Sequence, residues 1–239
     1  MPNWCYTSFS VKGKEKDIAS FVDAVTSRED GEIVKTNSGE VQYNLTLLHP
    51  CPDELNITAT FFTSDDEEGK KLKALYDSNR EKYGYSNWYD WCWENWGTKW
   101  PPYIQEFEIS LNGDESSVRG RYETAWSPCD NLWLRISEIY PSLVISTTYD
   151  EEANLFMGSS SFLNGVLYTE GTDFSQESLT ALEPDFWERY EKIEKAFEEI
   201  NHDWDHELYE EIDCDRVNLF DEIRDYCERA VEQLLSDAQ

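Results

Sequence analysis

The chain has 239 residues, with 20 Lys and Arg against 50 Asp and Glu, and hence a formal charge of −30 at pH 7. A hydrophobic share of 39% with 10 Trp, 14 Tyr and 11 Phe suits a packed core, which excludes a wholly disordered chain. So negative a surface repels phosphates and anionic lipids, so we expect no direct binding of nucleic acid or membranes. No apolar run reaches the ~20 residues of a bilayer span, and the first residues do not resemble a signal peptide. We therefore expect a cytoplasmic protein whose six cysteines are reduced.

The pattern of apolar residues up to residue 172 predicts an α+β fold. Alternating apolar residues indicate strands, and apolar residues three or four apart indicate helices. Asn112-Gly113-Asp114 is a strong hairpin signal, because tight hairpin turns need residues that accept positive φ angles. In chain order we expect a strand at 4–11, a helix at 14–26, a strand at 41–48, a charged helix at 65–83, strands at 104–111 and 118–126, a helix at 128–139, and strands at 143–149 and 154–163. This order predicts a ferredoxin-like β-α-β-β-α-β body with an extra strand and a helical insert at about residues 65–100.

The negative charge is concentrated towards the C-terminus. Residues 173–239 hold 22 acidic and 6 basic side chains, a net charge of −16, whereas residues 1–172 hold 28 and 14, a net charge of −14. From Pro184 onward the apolar residues predict two helices that fold back as a hairpin, with a break near Asp213-Cys214-Asp215. The predicted apolar seam is Phe186, Tyr190, Ile193, Phe197, Ile200, Trp204, Leu208 and Ile212, then Val217, Phe220, Ile223, Cys227, Ala230 or Val231, and Leu234. We predict two domains, a ferredoxin-like domain at 1–172 and an acidic helical hairpin at 173–239.

The segment at residues 84–100 is rich in tryptophan and contains the runs WYDW and NWGTKW. Its motif residues are Trp88, Tyr89, Asp90, Asn95, Trp96, Gly97, Thr98, Lys99 and Trp100. Five further segments, at residues 1–5, 48–55, 124–128, 139–143 and 149–158, match the same protein family in the same order along the chain. Over about residues 1–165 the chain resembles the YubB-type ferredoxin-like domain family of bacteriophage and plasmid proteins, from which it departs at Cys51 and Cys129. The resemblance implies a ferredoxin-like fold and a mobile-element origin, but no catalytic residue, because no activity is established for the family.

The aromatic segment has two interpretations. Its rings could pin an inserted helix onto the sheet, or they could form a surface that captures a peptide or a small ligand. Only Lys99 offers a positive charge there, against Asp90 and Glu94, which disfavours a groove for nucleic acid. The sequence leaves both interpretations open.

The sequence offers little that indicates catalysis. His202 and His206 are the best metal candidates, because residues four apart share one face of a helix and imidazole suits zinc. The pattern lacks the glutamate that a zinc protease needs after its first histidine, and it offers no third ligand, so we predict no metal site. Motifs for a catalytic nucleophile, a phosphate loop or a dinucleotide site are also missing, so we predict no catalytic residue and no cofactor.

The acidic hairpin offers a different kind of site. Residues 184–239 carry 19 acidic and 6 basic side chains, a net charge of −13. Two antiparallel helices of this length would extend about 42 Å, which is roughly one net charge per 3 Å, against one per ~1.7 Å of DNA duplex. The predicted partner-binding residues are Glu188, Glu191, Glu194, Glu198, Glu199, Asp203, Asp205, Glu210 and Glu211.

The leading hypothesis is therefore a phage- or plasmid-encoded anti-defence protein that mimics nucleic acid. It would act in the host cytoplasm by binding the basic groove of a host enzyme, such as a CRISPR effector or a restriction enzyme, without catalysis. The alternatives are a metal- or nucleotide-dependent enzyme and a module that binds a peptide or ligand at residues 88–100.

Overall fold

The computed structural model describes residues 2–60, 66–151, 153, 155–204 and 206–238. The chain divides into two compact units. The first holds the residues up to Ile145 together with Phe162–Val166, and the second holds Ser146–Ser161 together with the residues from Leu167 onward. Helices and strands occur in both, so the predicted α+β class is confirmed. The domain boundary at residue 172 stays a prediction.

Three antiparallel strands form the sheet of the first unit. They are β1 (Trp4–Gly13), β4 (Tyr103–Ser110) and β5 (Ser116–Ala125), and β5 lies in the middle. A short 3-10 turn at Gly113–Glu115 joins β4 to β5, which confirms the predicted hairpin.

One face of this sheet is buried. Phe9 and Val11 of β1 and Val118 and Tyr122 of β5 lie on that face and are almost inaccessible to solvent. Gly120 lies opposite Phe9, and a Cβ atom there would approach a carbonyl oxygen of β4 to 2.1 Å. The close approach of the backbone therefore requires glycine at this position.

Two helices supply the rest of the first unit's core. α1 (Glu15–Val25) buries Ile18 and Phe21, and α4 (Asp130–Ile139) buries Trp133. The indole Nε1–H of Trp133 donates to the hydroxyl oxygen of Tyr122 at 2.9 Å, so the two large buried side chains satisfy each other's polar atoms.

The predicted helical insert is confirmed, but the predicted strand at residues 41–48 is wrong. The insert contains α2 (Glu67–Tyr83) and α3 (Trp88–Trp96); the predicted start of α2 at residue 65 lies outside the described residues. Instead of a strand, Leu45–Leu48 forms a 3-10 turn, because the Asn44 side chain accepts a hydrogen bond from the N–H of Thr46 at 2.9 Å. The short strands β2 (Arg28–Glu29) and β3 (Glu32–Ile33) precede it.

The second unit contains most of three further strands. They are β6 (Val144–Glu151), β7 (Met157–Leu163) and β8 (Val166–Thr172), and β7 is the middle strand. Residues 144–145, 162–163 and 166 of these strands group with the first unit. β8 and the short helix α5 (Gln176–Leu182) were not among the predicted elements.

The C-terminal helices are α6 (Phe186–Glu199) and α7 (Tyr209–Asp237). The predicted break near residues 213–215 is wrong, since α7 runs through them and the helices are joined by residues 200–208. Much of the predicted seam is confirmed; the buried members are Phe186, Ile193, Phe197, Ile200, Ile223, Cys227 and Val231. Other predicted members are exposed, namely Trp204, Leu208, Val217 and Leu234. Among the described residues, no helix has both the length and the apolar character needed to cross a membrane.

Candidate functional site

The outward side of α6 carries a stripe of carboxylates. Each residue of an α-helix turns by about 100°, so Glu188, Glu191, Glu198 and Glu199 fall within about a quarter of the helix circumference. All four are exposed. This stripe, called the acidic face below, lies opposite the seam that buries Phe197.

Ion pairs within the hairpin use most of its basic side chains. Arg189 of α6 donates two hydrogen bonds to the carboxylate of Glu222 on α7, at 2.6 and 2.7 Å, and lowers the pKa of that carboxyl. Arg216 and Arg224 likewise pair with acidic residues of the second unit. The positive charges are thus largely neutralised internally, and the excess negative charge remains at the surface.

The acidic face is not uniformly negative. Lys195 lies seven residues after Glu188 and pairs with Glu191 at 3.1 Å. Within the described part of the chain, Glu188, Glu198 and Glu199 form no ion pair. Three carboxylates are therefore available to an external cation, while Glu191 already has one.

The other predicted partner-binding residues lie elsewhere on the hairpin. Glu194 is half-buried at the edge of the seam, and Glu210 and Glu211 occupy the exposed first turn of α7. That position suits carboxylates, because the helix dipole is positive there. Asp203 is exposed in the connection between α6 and α7, and Asp205 lies outside the described residues.

The expectation that the two weak metal candidates share one face of a helix is wrong, because neither residue lies in a helix. His202 and His206 both lie in the connection between α6 and α7. The His202 ring stacks on Phe197 with a centroid distance of 5.8 Å, and Nδ1 of His206 accepts a hydrogen bond from the N–H of Leu208 at 3.2 Å. In the part of the chain that the structure describes, no three His, Cys, Asp or Glu side chains are placed to hold a metal ion.

The same connection presents a tryptophan to solvent. Trp204 is 80% exposed, although its spacing predicts a place in the seam. Asn201 and His202 adopt positive φ angles of 51° and 54°, which end α6 and turn the chain away from the helical path. Trp204 therefore lies exposed in the connection at the tip of the hairpin.

Part of the tryptophan-rich segment belongs to the core of the first unit. Trp91 and Trp96 of α3 are buried, and Nε1–H of Trp96 donates to the carbonyl oxygen of His49 at 2.8 Å. The buried Thr98 hydroxyl donates to the carbonyl oxygen of Ala125 at 3.0 Å. Other motif residues contribute locally: Asn95 bonds to His49 and Trp91, and Gly97 ends α3 with a φ of 80°. These contacts agree with the structural interpretation of the segment.

The remaining rings form a second group, at the surface. Trp126, which follows β5, stacks with Trp93 at a centroid distance of 6.2 Å and with Trp100 at 6.3 Å. Tyr89 contacts Trp93 edge to face. The Lys99 ammonium lies over this group, which we call the outer aromatic cluster (Tyr89, Trp93, Trp100 and Trp126). The motif is thus divided between core and surface; Trp88 is half-buried and Asp90 is exposed.

The fold and the site can be compared with known proteins. Residues 106–206 match the family model of the ferredoxin-like domain in Api92-like protein. This match confirms the predicted ferredoxin-like fold; the YubB-type label and the mobile-element origin stay predictions. The crystal structure of protein Api92 from Yersinia pseudotuberculosis aligns with a TM-score of 0.41 at 10% identity, over 73% of this chain and 99% of that chain. No curated protein matches the chain.

Sequence reasoning missed two features of these surfaces. Trp126 appears in the sequence only as one residue of a matching piece, and no local pattern places it beside Trp93 and Trp100. Lys195 interrupts the acidic face, and a helical wheel of α6 would have shown it, because positions 188, 191, 195 and 198 lie on one stripe.

Proposed function

We propose that this protein is an acidic inhibitor that binds the basic nucleic-acid groove of a host defence enzyme. The acidic face carries the proposal. Its carboxylates at Glu188, Glu198 and Glu199 are exposed and form no ion pair with described residues, although the hairpin contains several arginines and lysines. Fixed carboxylates of this kind can pair with Lys and Arg as phosphates do.

The charge density of the hairpin supports mimicry of nucleic acid. α7 has 29 residues and hence a length of about 43 Å at ~1.5 Å per residue. The net charge of −13 on residues 184–239 then corresponds to roughly one charge per 3 Å, within a factor of two of the one per ~1.7 Å of duplex DNA. Two packed helices also hold these charges rigidly, which avoids much of the entropy cost of ordering a flexible acidic tail on binding.

The biological setting of the proposal rests on the resemblance of residues 84–100 to phage and plasmid proteins. A mobile element benefits from blocking a CRISPR effector or a restriction enzyme in the host cytoplasm. The inhibitor would occupy the groove without catalysis and without a cofactor. The enzyme and the ligand-binding module at residues 88–100 stay as alternatives.

The proposal is tested by binding of the full chain to a panel of purified CRISPR effectors and restriction enzymes. The triple variant Glu188→Gln, Glu198→Gln, Glu199→Gln should weaken binding at least tenfold, because each lost charge pair at such an interface costs about 1 kcal/mol or more. The matched control, Glu29→Gln, Glu32→Gln, Glu40→Gln, removes the same charge from exposed positions of the first unit. Equal effects of both variants would show that only net charge matters and would contradict a defined docking face.

A further inference from the structure

The outer aromatic cluster has the form of a binding site, and the inhibition proposed above does not require it. The planes of Trp93 and Trp126 differ by 12° and those of Trp126 and Trp100 by 24°, so three indoles stand in a nearly parallel row. Trp100 and Trp126 remain 38% and 37% exposed. Partly exposed, nearly parallel indoles offer faces on which a flat group can stack.

The cluster also holds the positive charge of the Lys99 ammonium. Nζ of Lys99 lies 4.4 Å from the centroid of the Trp100 ring, 5.0 Å from that of Trp126 and 5.7 Å from that of Tyr89. No described residue forms an ion pair with Lys99, although the chain has 50 Asp and Glu. The rings hold the ammonium by cation–π attraction and leave its hydrogen-bond donors available to an anion.

The backbone at Trp126 is strained in a way that places its ring in this row. Trp126 has a φ of 67°, a region in which a bulky side chain is rare and costs about 1–3 kcal/mol. The conformation is fixed on both sides: the Trp126 N–H donates to the carbonyl oxygen of Asn3 at 2.9 Å, and the Ser127 hydroxyl donates to that of Gly97 at 2.6 Å. A residue kept in a strained conformation at the surface is typical of a ligand site.

We propose that the outer aromatic cluster binds a small planar anion of the nucleoside monophosphate class. The base would stack on the exposed parts of the Trp100 and Trp126 indoles beside Lys99, and the phosphate would accept hydrogen bonds from the Lys99 ammonium. A small ligand with one phosphate fits better than a polynucleotide, because a chain of charge −30 repels each additional phosphate. The site lies in the first unit and does not depend on the acidic face, so either proposal can fail alone.

The test compares three probes by ligand-observed NMR titration of the full chain: adenosine monophosphate, adenosine and ribose 5-phosphate. The monophosphate should bind about tenfold or more tightly than either fragment, because only it combines the stacking with the charge-assisted contact. Lys99→Met should reduce its affinity to that of adenosine. Lys73→Met is the matched control, since Lys73 is an exposed lysine of α2 that pairs with no described residue, and its removal should change nothing.

A second variant separates the stacking from the fold. Trp126→Gly removes the ring but suits the positive φ, so the variant should fold normally while its affinity for both adenosine and the monophosphate falls at least fivefold. Equal affinity of adenosine and adenosine monophosphate would overturn the proposal. It would also be overturned if a deoxythymidine decamer bound more tightly than the monophosphate, which would indicate a nucleic-acid surface, or if only a proline-rich peptide bound.

Discussion

Replacing Phe197 or Trp204 by alanine tests which of these two residues is packed in the α6–α7 seam, since both have the spacing of seam residues but only Phe197 is buried. Phe197 is 2% exposed, and its ring contacts Tyr209 at a centroid distance of 5.5 Å and the Arg216 guanidinium at 4.9 Å. Phe197→Ala removes this burial and leaves a cavity, so the free energy of unfolding should fall by about 3–5 kcal/mol. Trp204→Ala removes a side chain that is already 80% exposed and should change it by less than about 0.5 kcal/mol.

The assay is urea unfolding of both full-length variants, followed by far-ultraviolet circular dichroism. The midpoint should move strongly for Phe197→Ala and hardly at all for Trp204→Ala, with the slope unchanged between them. If Trp204→Ala destabilised the protein as much as Phe197→Ala, Trp204 would belong to the seam and the position of the helix break would be refuted. Trp204→Ala should nevertheless weaken binding to a partner of the hairpin, because exposed tryptophans are common hot spots.

Three further predictions concern stability and reactivity. Gly120→Ala should lower the free energy of unfolding by more than about 3 kcal/mol in the same urea assay, because its Cβ atom has no room beside β4; a smaller loss would show that the strands can separate. The exposed pair of Arg189 and Glu222 should contribute at most about 1 kcal/mol. Because Arg189 lowers the pKa of Glu222, this stability is present above the unfolded pKa of about 4.3 and is lost as the pH falls through the lower folded pKa, so unfolding curves of Arg189→Gln and the parent should converge in acid. Burial raises the pKa of the Cys92 thiol to about 12, whereas Cys214 is exposed, so a thiol reagent at pH 8 should modify Cys214 rapidly and Cys92 only after unfolding. Loss of the rapid phase in Cys214→Ser is the check, and a rapid phase that persists would contradict the assignment.

Helical periodicity predicted the C-terminal hairpin well where the helices are regular. Phe186, Ile193 and Phe197 are buried as their spacing indicates. The same spacing continues through Trp204, and the connection contains neither glycine nor proline to mark the break. Asn201 and His202 take positive φ angles there, and because these residue types adopt that conformation at only a minority of their positions, they do not by themselves locate the break.

Strand prediction failed at residues 41–48 for a local reason. The apolar residues favour a strand, but the Asn44 side chain accepts a hydrogen bond from the Thr46 N–H and starts a 3-10 turn. Such bonds between side chain and backbone compete with strand pairing, and their outcome depends on the surrounding packing. The ferredoxin-like body could therefore be predicted from element order, but this segment could not.

The surface clusters depend on contacts between distant parts of the chain. Trp126 meets Trp93 and Trp100 because β5 and α3 end close together in the first unit, with Ser127 bonded to Gly97. No local pattern contains that proximity. The acidic face could be predicted because it lies within one helix, and the spacing of four residues between Glu191 and Lys195 could have indicated their ion pair as well.

The dependence of partner binding on salt tests the central claim most directly. For a defence enzyme captured by the full chain, the dissociation constant should rise at least tenfold between roughly 50 and 200 mM sodium chloride, because pairs between carboxylates and a basic groove are screened. The variant with glutamine at positions 188, 198 and 199 should show a weaker dependence than the parent chain. A dissociation constant that changed less than about twofold over this range, with equal salt dependence in both proteins, would contradict binding by charge mimicry.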